Sequence, residues 1–218
     1  ETDLFVSDLA TPVALLGTYC DKLSPVYSIY DTTMMGNTTG GNFRKFFGLQ
    51  KNVLLVVDRA EYALPTSWRN RFLEQIGAQG TRILRVVDAN QTPKAMESEI
   101  IQTLAVNPAI DSIICTTQNG TCAALRAVER YGRFVPILGA DFSQEIAQGI
   151  YDGTIRASIV RNSYAYGYMG IENAIRILCG QGIAETRTLD ALVINSENLF
   201  DPAYAPLLYD ITAAPDGD

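Results

Sequence analysis

From Asn52 to Val160 the chain repeats one unit: a short apolar run, a polar turn, then a stretch with the helical period. The apolar runs are NVLLVVD (52–58), TRILRVVD (81–88), DSIICTT (111–117), VPILGAD (135–141) and TIRASIV (154–160). They are too short for helices and rich in β-branched residues. NVLLVVD also lacks alternation, as a strand buried on both faces requires. Between them, SWRNRFLEQIGAQG (67–80), PKAMESEIIQTLAVNP (93–108), GTCAALRAVERYG (120–132) and SQEIAQGIYDG (143–153) read as helices. Strand and helix in regular succession predict βαβ units and parallel sheets covered on both faces.

The flanks extend the pattern. DLFVS (3–7) reads as a strand, and TPVALLGTYCDKL (11–23) as a helix with Thr11 as N-cap and Pro12 at the first helical position. VYSIY (26–30) reads as a strand and TTGGNFRKFFGL (38–49) as a glycine-rich entry into a helix. SYAYGYMGIENAIRILCG (163–180) is a long helix and TLDALVIN (188–195) a last strand, followed by a tail that ends in PDGD.

Composition removes several function classes. The chain has 218 residues, 47% of them hydrophobic, enough for one sizeable core or two small lobes. No apolar run reaches the ~18–20 residues of a membrane span. The net charge is −7, and the 17 basic residues are scattered, a poor basis for binding nucleic acid or anionic membranes. There is no histidine, which excludes a Ser-His-Asp triad, a Cys-His dyad and a histidine-bound metal. Cys20, Cys115, Cys122 and Cys179 contain no C-x-x-C pair, so neither a metal nor another cofactor is expected. They are read as buried free thiols, and spacing leaves a Cys115–Cys122 disulfide undecided.

In parallel α/β sheets, ligands bind beyond the carboxyl ends of the strands. The turns at that edge include Asp58–Glu61, Asp88–Gln91, Thr116–Asn119, Asp141–Ser143 and Arg161–Ser163. Asp, Asn, Gln and Arg recur there, which suits a hydroxyl-rich ligand. Helix capping and turn formation use the same residue types.

Four stretches together resemble a known family: VVDRAEYALPTSWRNRF, DSIICTTQNGTCAALRAVERYG, VPILGADFSQEIAQGIYDGTIRASIVRNSYAYGYMGIENAIRILCG and LVINSENL. They are similar, in order and spacing over about residues 51–200, to type I periplasmic binding proteins of the ribose- and galactose-binding kind. They also resemble the related effector domains of lactose-repressor-type regulators. The resemblance implies two α/β lobes joined by three crossings, with a small ligand between them. Residues 51–159 would form the carboxy-terminal lobe, residues 1–50 and 160–200 part of the amino-terminal lobe, and 201–218 a tail.

Carried over position by position, the family's helix arginine falls on Arg69, with Trp68, the only tryptophan, beside it as a stacking face. The Asn-Asp pair falls on Thr117 and Gln118, followed by Asn119. The acid of the V-x-G-x-D strand end is Asp141. The glutamine of the crossing strand falls on Arg161, followed by Asn162. Losing an acid at Gln118 and gaining a cation at Arg161 would make the pocket more positive and favour an anionic or otherwise unusual ligand over a plain pentose. CTTQNGTC (115–122) then reads as strand end, pocket lip and helix start.

One departure stands out. The family's amino-terminal lobe begins with two further βα units, which have no counterpart before DLFVS. A second chain or a further segment would complete that lobe; the alternative is a naturally reduced variant that no longer clamps sugar. The resemblance implies an extracytoplasmic receptor, without catalysis, that hands a small polar solute to a transporter permease or a membrane sensor kinase. The effector core of a transcription regulator, a docking module without a small ligand, and an enzyme on a flavodoxin-like sheet are the alternatives. For the last, only GNTTGGNF (36–43) offers a glycine-rich helix entry that could cradle phosphate.

Overall fold

The computed structural model describes residues 14–15, 27–28, 32–59, 67–78, 80–181 and 191–204. Its strands are β1 (Ala14–Leu15), β2 (Tyr27–Ser28), β3 (Asn52–Val57), β4 (Arg82–Asp88), β5 (Ser112–Cys115), β6 (Ile137–Ala140), β7 (Ile155–Val160) and β8 (Leu192–Asn195). Its helices are α1 (Thr32–Phe47), α2 (Ser67–Gly77), α3 (Pro93–Val106), α4 (Gln118–Tyr131), α5 (Gln144–Tyr151) and α6 (Ser163–Leu178).

Six strands form one sheet in the order β4-β3-β5-β6-β7-β8. The first five are parallel, as the βαβ succession predicts, and β8 closes the edge antiparallel to β7. The sheet sorts its side chains by the period of two. Val53, Leu55 and Val57 face one side, where Phe43 of α1 and Phe72 and Ile76 of α2 cover them. Leu54 and Val56 face the other, packed with Met96 and Ile100 of α3, Ala123 and Ala124 of α4 and Ile146 of α5. This double cover is why NVLLVVD carries no polar alternation.

Two expectations are corrected. TPVALLGTYCDKL was expected to be helical, yet Ala14–Leu15 is a short strand paired parallel with Tyr27–Ser28. A short apolar run does not distinguish strand from buried helix by periodicity, and a partner strand decides it. The remainder of that stretch, and DLFVS, lie outside the described residues. The helix expected to begin at 38 already starts at Thr32, so Gly40 and Gly41 lie inside α1 rather than at its entry. The phosphate-cradling reading of GNTTGGNF therefore loses its geometry. Gly40 has a packing role instead: a Cβ there would stand 2.4 Å from the Cβ of Gln75, so α1 and α2 approach closely because it has none.

The large sheet gathers segments from both ends of the chain. α1 packs on α2, and β8 pairs along β7. α6 lies against β1 and presents Tyr168, Ile171, Ile175 and Leu178 as an exposed apolar stripe.

Candidate functional site at the carboxyl edge of the sheet

The carboxyl ends of β4, β5, β6 and β7 each run into a polar turn that caps the next element. After β5, Thr117 is the N-cap of α4: its Oγ1 accepts from the Gly120 N–H at 3.1 Å. After β6, the Ser143 hydroxyl caps α5 by accepting from the Ile146 N–H at 3.2 Å. At the end of β4, an Asp88 carboxylate oxygen accepts from the backbone N–H groups of Arg59 and Asn90 at 3.2 and 3.1 Å. Capping and turn formation thus account for much of the polarity at this edge.

Asp141 is held apart from that pattern. It has φ +60°, and Asp141 and Gln50 are the non-glycine residues with positive φ among those described. Its carbonyl accepts from the Ser158 hydroxyl at 2.6 Å, and its N–H donates to the Ile159 carbonyl at 2.9 Å. These two bonds to β7 hold a backbone conformation that an aspartate adopts at modest cost. The side chain then meets Arg161, which donates from Nε to Oδ1 at 3.1 Å and from Nη2 to Oδ2 at 3.0 Å. The forked pair is part-exposed, with 23% of the Asp141 side chain and 49% of the Arg161 side chain accessible.

Asn162 follows, and its Oδ1 accepts from the Ala165 N–H at 2.9 Å at the start of α6. Gln118 and Asn119 are exposed in the first turn of α4. They line an open depression of about 700 Å³ with Cys122, Arg126, Ser143 and Glu145. Arg126 and Glu145 join α4 to α5 by a forked ion pair, with Nε donating to Oε1 at 2.7 Å. Trp68 and Arg69 lie in the first turn of α2, and their side chains fall outside the described residues.

The structure therefore brings Asp141 and Arg161 into contact, and places Gln118 and Asn119 together in one depression at the same edge. No described pocket joins the two groups. The positive charge expected from Arg161 is met by Asp141, because the two side chains reach each other across neighbouring strands β6 and β7. Sequence reasoning missed Arg126, Glu145 and Cys122 in the depression. The single available signal was that Arg126 and Cys122 share a helix face at a spacing of four.

The thiols of Cys115, Cys122 and Cys179 are free. Cys115 is buried at the end of β5, and burial, then the neighbouring Cys122, push its pKa far up. Cys122 is half-buried and also raised, mainly by burial, with the Ser143 hydroxyl 3.7 Å away opposing the shift.

Residues 24–182 match the profile of a family described as the periplasmic binding protein domain. Solved structures share the fold. GanP, a glucose-galactose binding protein from Geobacillus stearothermophilus, aligns with a TM-score of 0.75 at 19% identity, over 86% of this chain and 69% of that one. A solute binding protein of an Agrobacterium vitis ABC transporter, with bound D-fucose, aligns with a TM-score of 0.76 at 18% identity, over 91% and 71%. A XylFII–LytSN complex aligns with a TM-score of 0.73 at 21% identity, over 85% and 68%.

Proposed function

The chain belongs to the periplasmic binding protein family, and from that premise we propose that it captures a neutral sugar or sugar-like solute at the carboxyl edge of its sheet. The observation that carries this reading is the forked Asp141–Arg161 pair. A carboxylate and a guanidinium fixed side by side present acceptors and donors without net charge. A sugar's vicinal hydroxyls, each donor and acceptor at once, match that surface, whereas an anion would have to compete with Asp141 for Arg161. Gln118 and Asn119 add neutral amides, and Arg69, Trp68 and Asn162 complete the proposed lining. The sugars named in the structural neighbours support the same class.

The proposed mechanism is capture without catalysis. The large sheet forms one lobe; β1, β2 and α6 belong to a second, which closes over the solute by a hinge movement. The apolar stripe on α6 supports further sheet of the second lobe lying on that helix face. The protein would work outside the cytoplasmic membrane and deliver its loaded form to a transporter permease or a membrane sensor kinase. One structural neighbour, XylFII, is solved in complex with LytSN, which supports a protein partner.

A thermal-shift and calorimetric screen against neutral pentoses, hexoses and polyols, with the matching sugar acids beside them, tests the reading. A neutral ligand at about 100 times its Kd should add roughly 2.7 kcal/mol to stability. Saturable binding of sugar acids, with none by neutral sugars, would overturn the neutral-ligand assignment. A response to neither class would overturn solute capture by this chain.

A further inference from the structure

The opposite, amino edge of the large sheet holds a second pocket. Lys45 and Phe46 come from the last turn of α1, Lys51 from the entry to β3, Pro136 from the entry to β6, and Arg156 from the start of β7. Because β8 runs antiparallel, its last residue Asn195 sits beside Ala157, which brings Glu197 to the same place. These residues surround an open pocket of about 410 Å³, a volume suited to a small molecule.

The charges of this pocket are unusual for the chain. Elsewhere most described cations are answered, Arg44 and Lys94 apart: Arg71, Arg126, Arg130, Arg161 and Arg176 each form an ion pair with a carboxylate. Arg59, Arg82, Arg85 and Arg133 each donate to a backbone or side-chain oxygen. Lys45, Lys51 and Arg156 do neither among the described residues. Lys45 lies over the Phe46 ring at 5.2 Å and Arg156 over Phe134 at 5.6 Å, contacts that leave their N–H donors available. Three cations therefore face one carboxylate, Glu197, in a protein of net charge −7. Like charges gathered on one pocket repel, and a bound anion relieves that cost.

We propose that this pocket is a second binding site, for a small organic anion with closely spaced negative charges, such as a phosphate monoester. Lys51 and Arg156 hold the anionic group by charge-assisted hydrogen bonds. The Phe46 ring and Pro136 offer apolar surface to the organic part. The site lies across the sheet from Asp141 and Arg161, so it does not depend on the sugar reading and fails or stands separately from it.

The test is titration of the intact protein with phenyl phosphate, followed by calorimetry and by thermal shift, with inorganic phosphate in parallel. The expected result is saturable binding of phenyl phosphate that weakens as salt rises. Affinity should fall roughly tenfold or more in the Lys51→Gln/Arg156→Gln variant, as losing hydrogen bonds to a charged group predicts. Arg156 is exposed and Lys51 part-exposed, so the variant's unliganded melting curve should match that of the parent and certify its fold. Asp141→Asn should bind phenyl phosphate unchanged. Absence of saturable binding, or equal binding by the double variant, would overturn the site. Inorganic phosphate binding as tightly as phenyl phosphate would overturn the assignment of an organic ligand.

Discussion

Arg161 grips both carboxylate oxygens of Asp141, at 3.1 and 3.0 Å, from the strand beside the one that Asp141 terminates. The contact fixes two charged side chains of the carboxyl edge without drawing on the core. Exposed pairs of this kind contribute only about 0–1 kcal/mol to folding. Asp141→Asn, which tolerates the same positive φ, should therefore lower Tm by no more than about 4 °C. Its effect on sugar affinity should be larger. Arg161→Ala and Asp141→Asn should each weaken binding roughly tenfold or more, because a hydrogen bond to a charged group is worth about 1.5–3 kcal/mol. Calorimetry with the best sugar of the screen measures this. An affinity unchanged in both variants would remove the pair from the site.

Behind that edge, the Thr121 hydroxyl ties α4 to β6. It lies 2.9 Å from the Thr117 carbonyl and 3.2 Å from the Ala140 carbonyl, and it accepts from the Ala140 N–H at 2.9 Å. Gly139 leaves room for it: a Cβ there would come 2.6 Å from the Thr121 Cγ2. Gly139→Ala should destabilise by about 1–3 kcal/mol through overpacking. Thr121→Ser removes the offending methyl and keeps the hydroxyl, so the double variant should recover most of that loss. Chemical denaturation of the four proteins gives the coupling energy. Additive effects would show that the contact is relieved elsewhere.

Much of this arrangement was legible in the sequence, and the limits have physical causes. Val53 to Val57 declared a strand buried on both sides because no polar residue interrupts them, and both faces are covered. Asp141 was found because a single motif places it at a strand end. Arg161 was found as well, from the crossing strand, but its contact with Asp141 was not, because that depends on which strands are neighbours, and order along a sheet is not written in local periodicity. For the same reason Arg126 and Glu145, 19 residues apart, gave no signal as a pair. The amino-edge pocket was invisible because its cations come from α1, the β3 entry and β7. Gly40 and Gly41 read as the entry to a helix rather than its interior because glycine marks both turns and close helix contacts, and only the partner helix separates the two meanings.

Those two adjacent glycines make a sharp contrast. A Cβ at Gly40 would meet the Cβ of Gln75 at 2.4 Å, an atom that no rotamer change can move, whereas a Cβ at Gly41 would meet nothing within 4 Å. Gly40→Ala should destabilise by about 1–3 kcal/mol by forcing α1 away from α2. Gly41→Ala should stabilise by about 0.5–1 kcal/mol, since alanine is the better helix former at an exposed position. Opposite signs in urea melts are the expected outcome. Two stabilising changes would mean that α1 can shift on α2 at little cost.

The cysteines extend the test to pH. In a Cys20→Ser background, a thiol reagent should modify exposed Cys179 first, half-buried Cys122 slowly, and Cys115 only on unfolding. The rate at Cys122 should keep rising above the pH at which an ordinary thiol is fully ionised, because burial raises its pKa. Below the ordinary thiol value of 9.0 both folded and unfolded thiols are protonated, and burial of Cys115 and Cys122 carries no ionisation penalty. Above it, the unfolded chain releases protons that the folded chain retains, so stability falls as pH rises. Cys115→Ala removes the group held furthest from its ordinary pKa, so its stability should decline less steeply between pH 9 and pH 11 than that of the parent, whatever its value at neutral pH. Denaturation curves across that range measure the slopes, and parallel slopes would show that Cys115 ionises in the folded protein as readily as in the unfolded one.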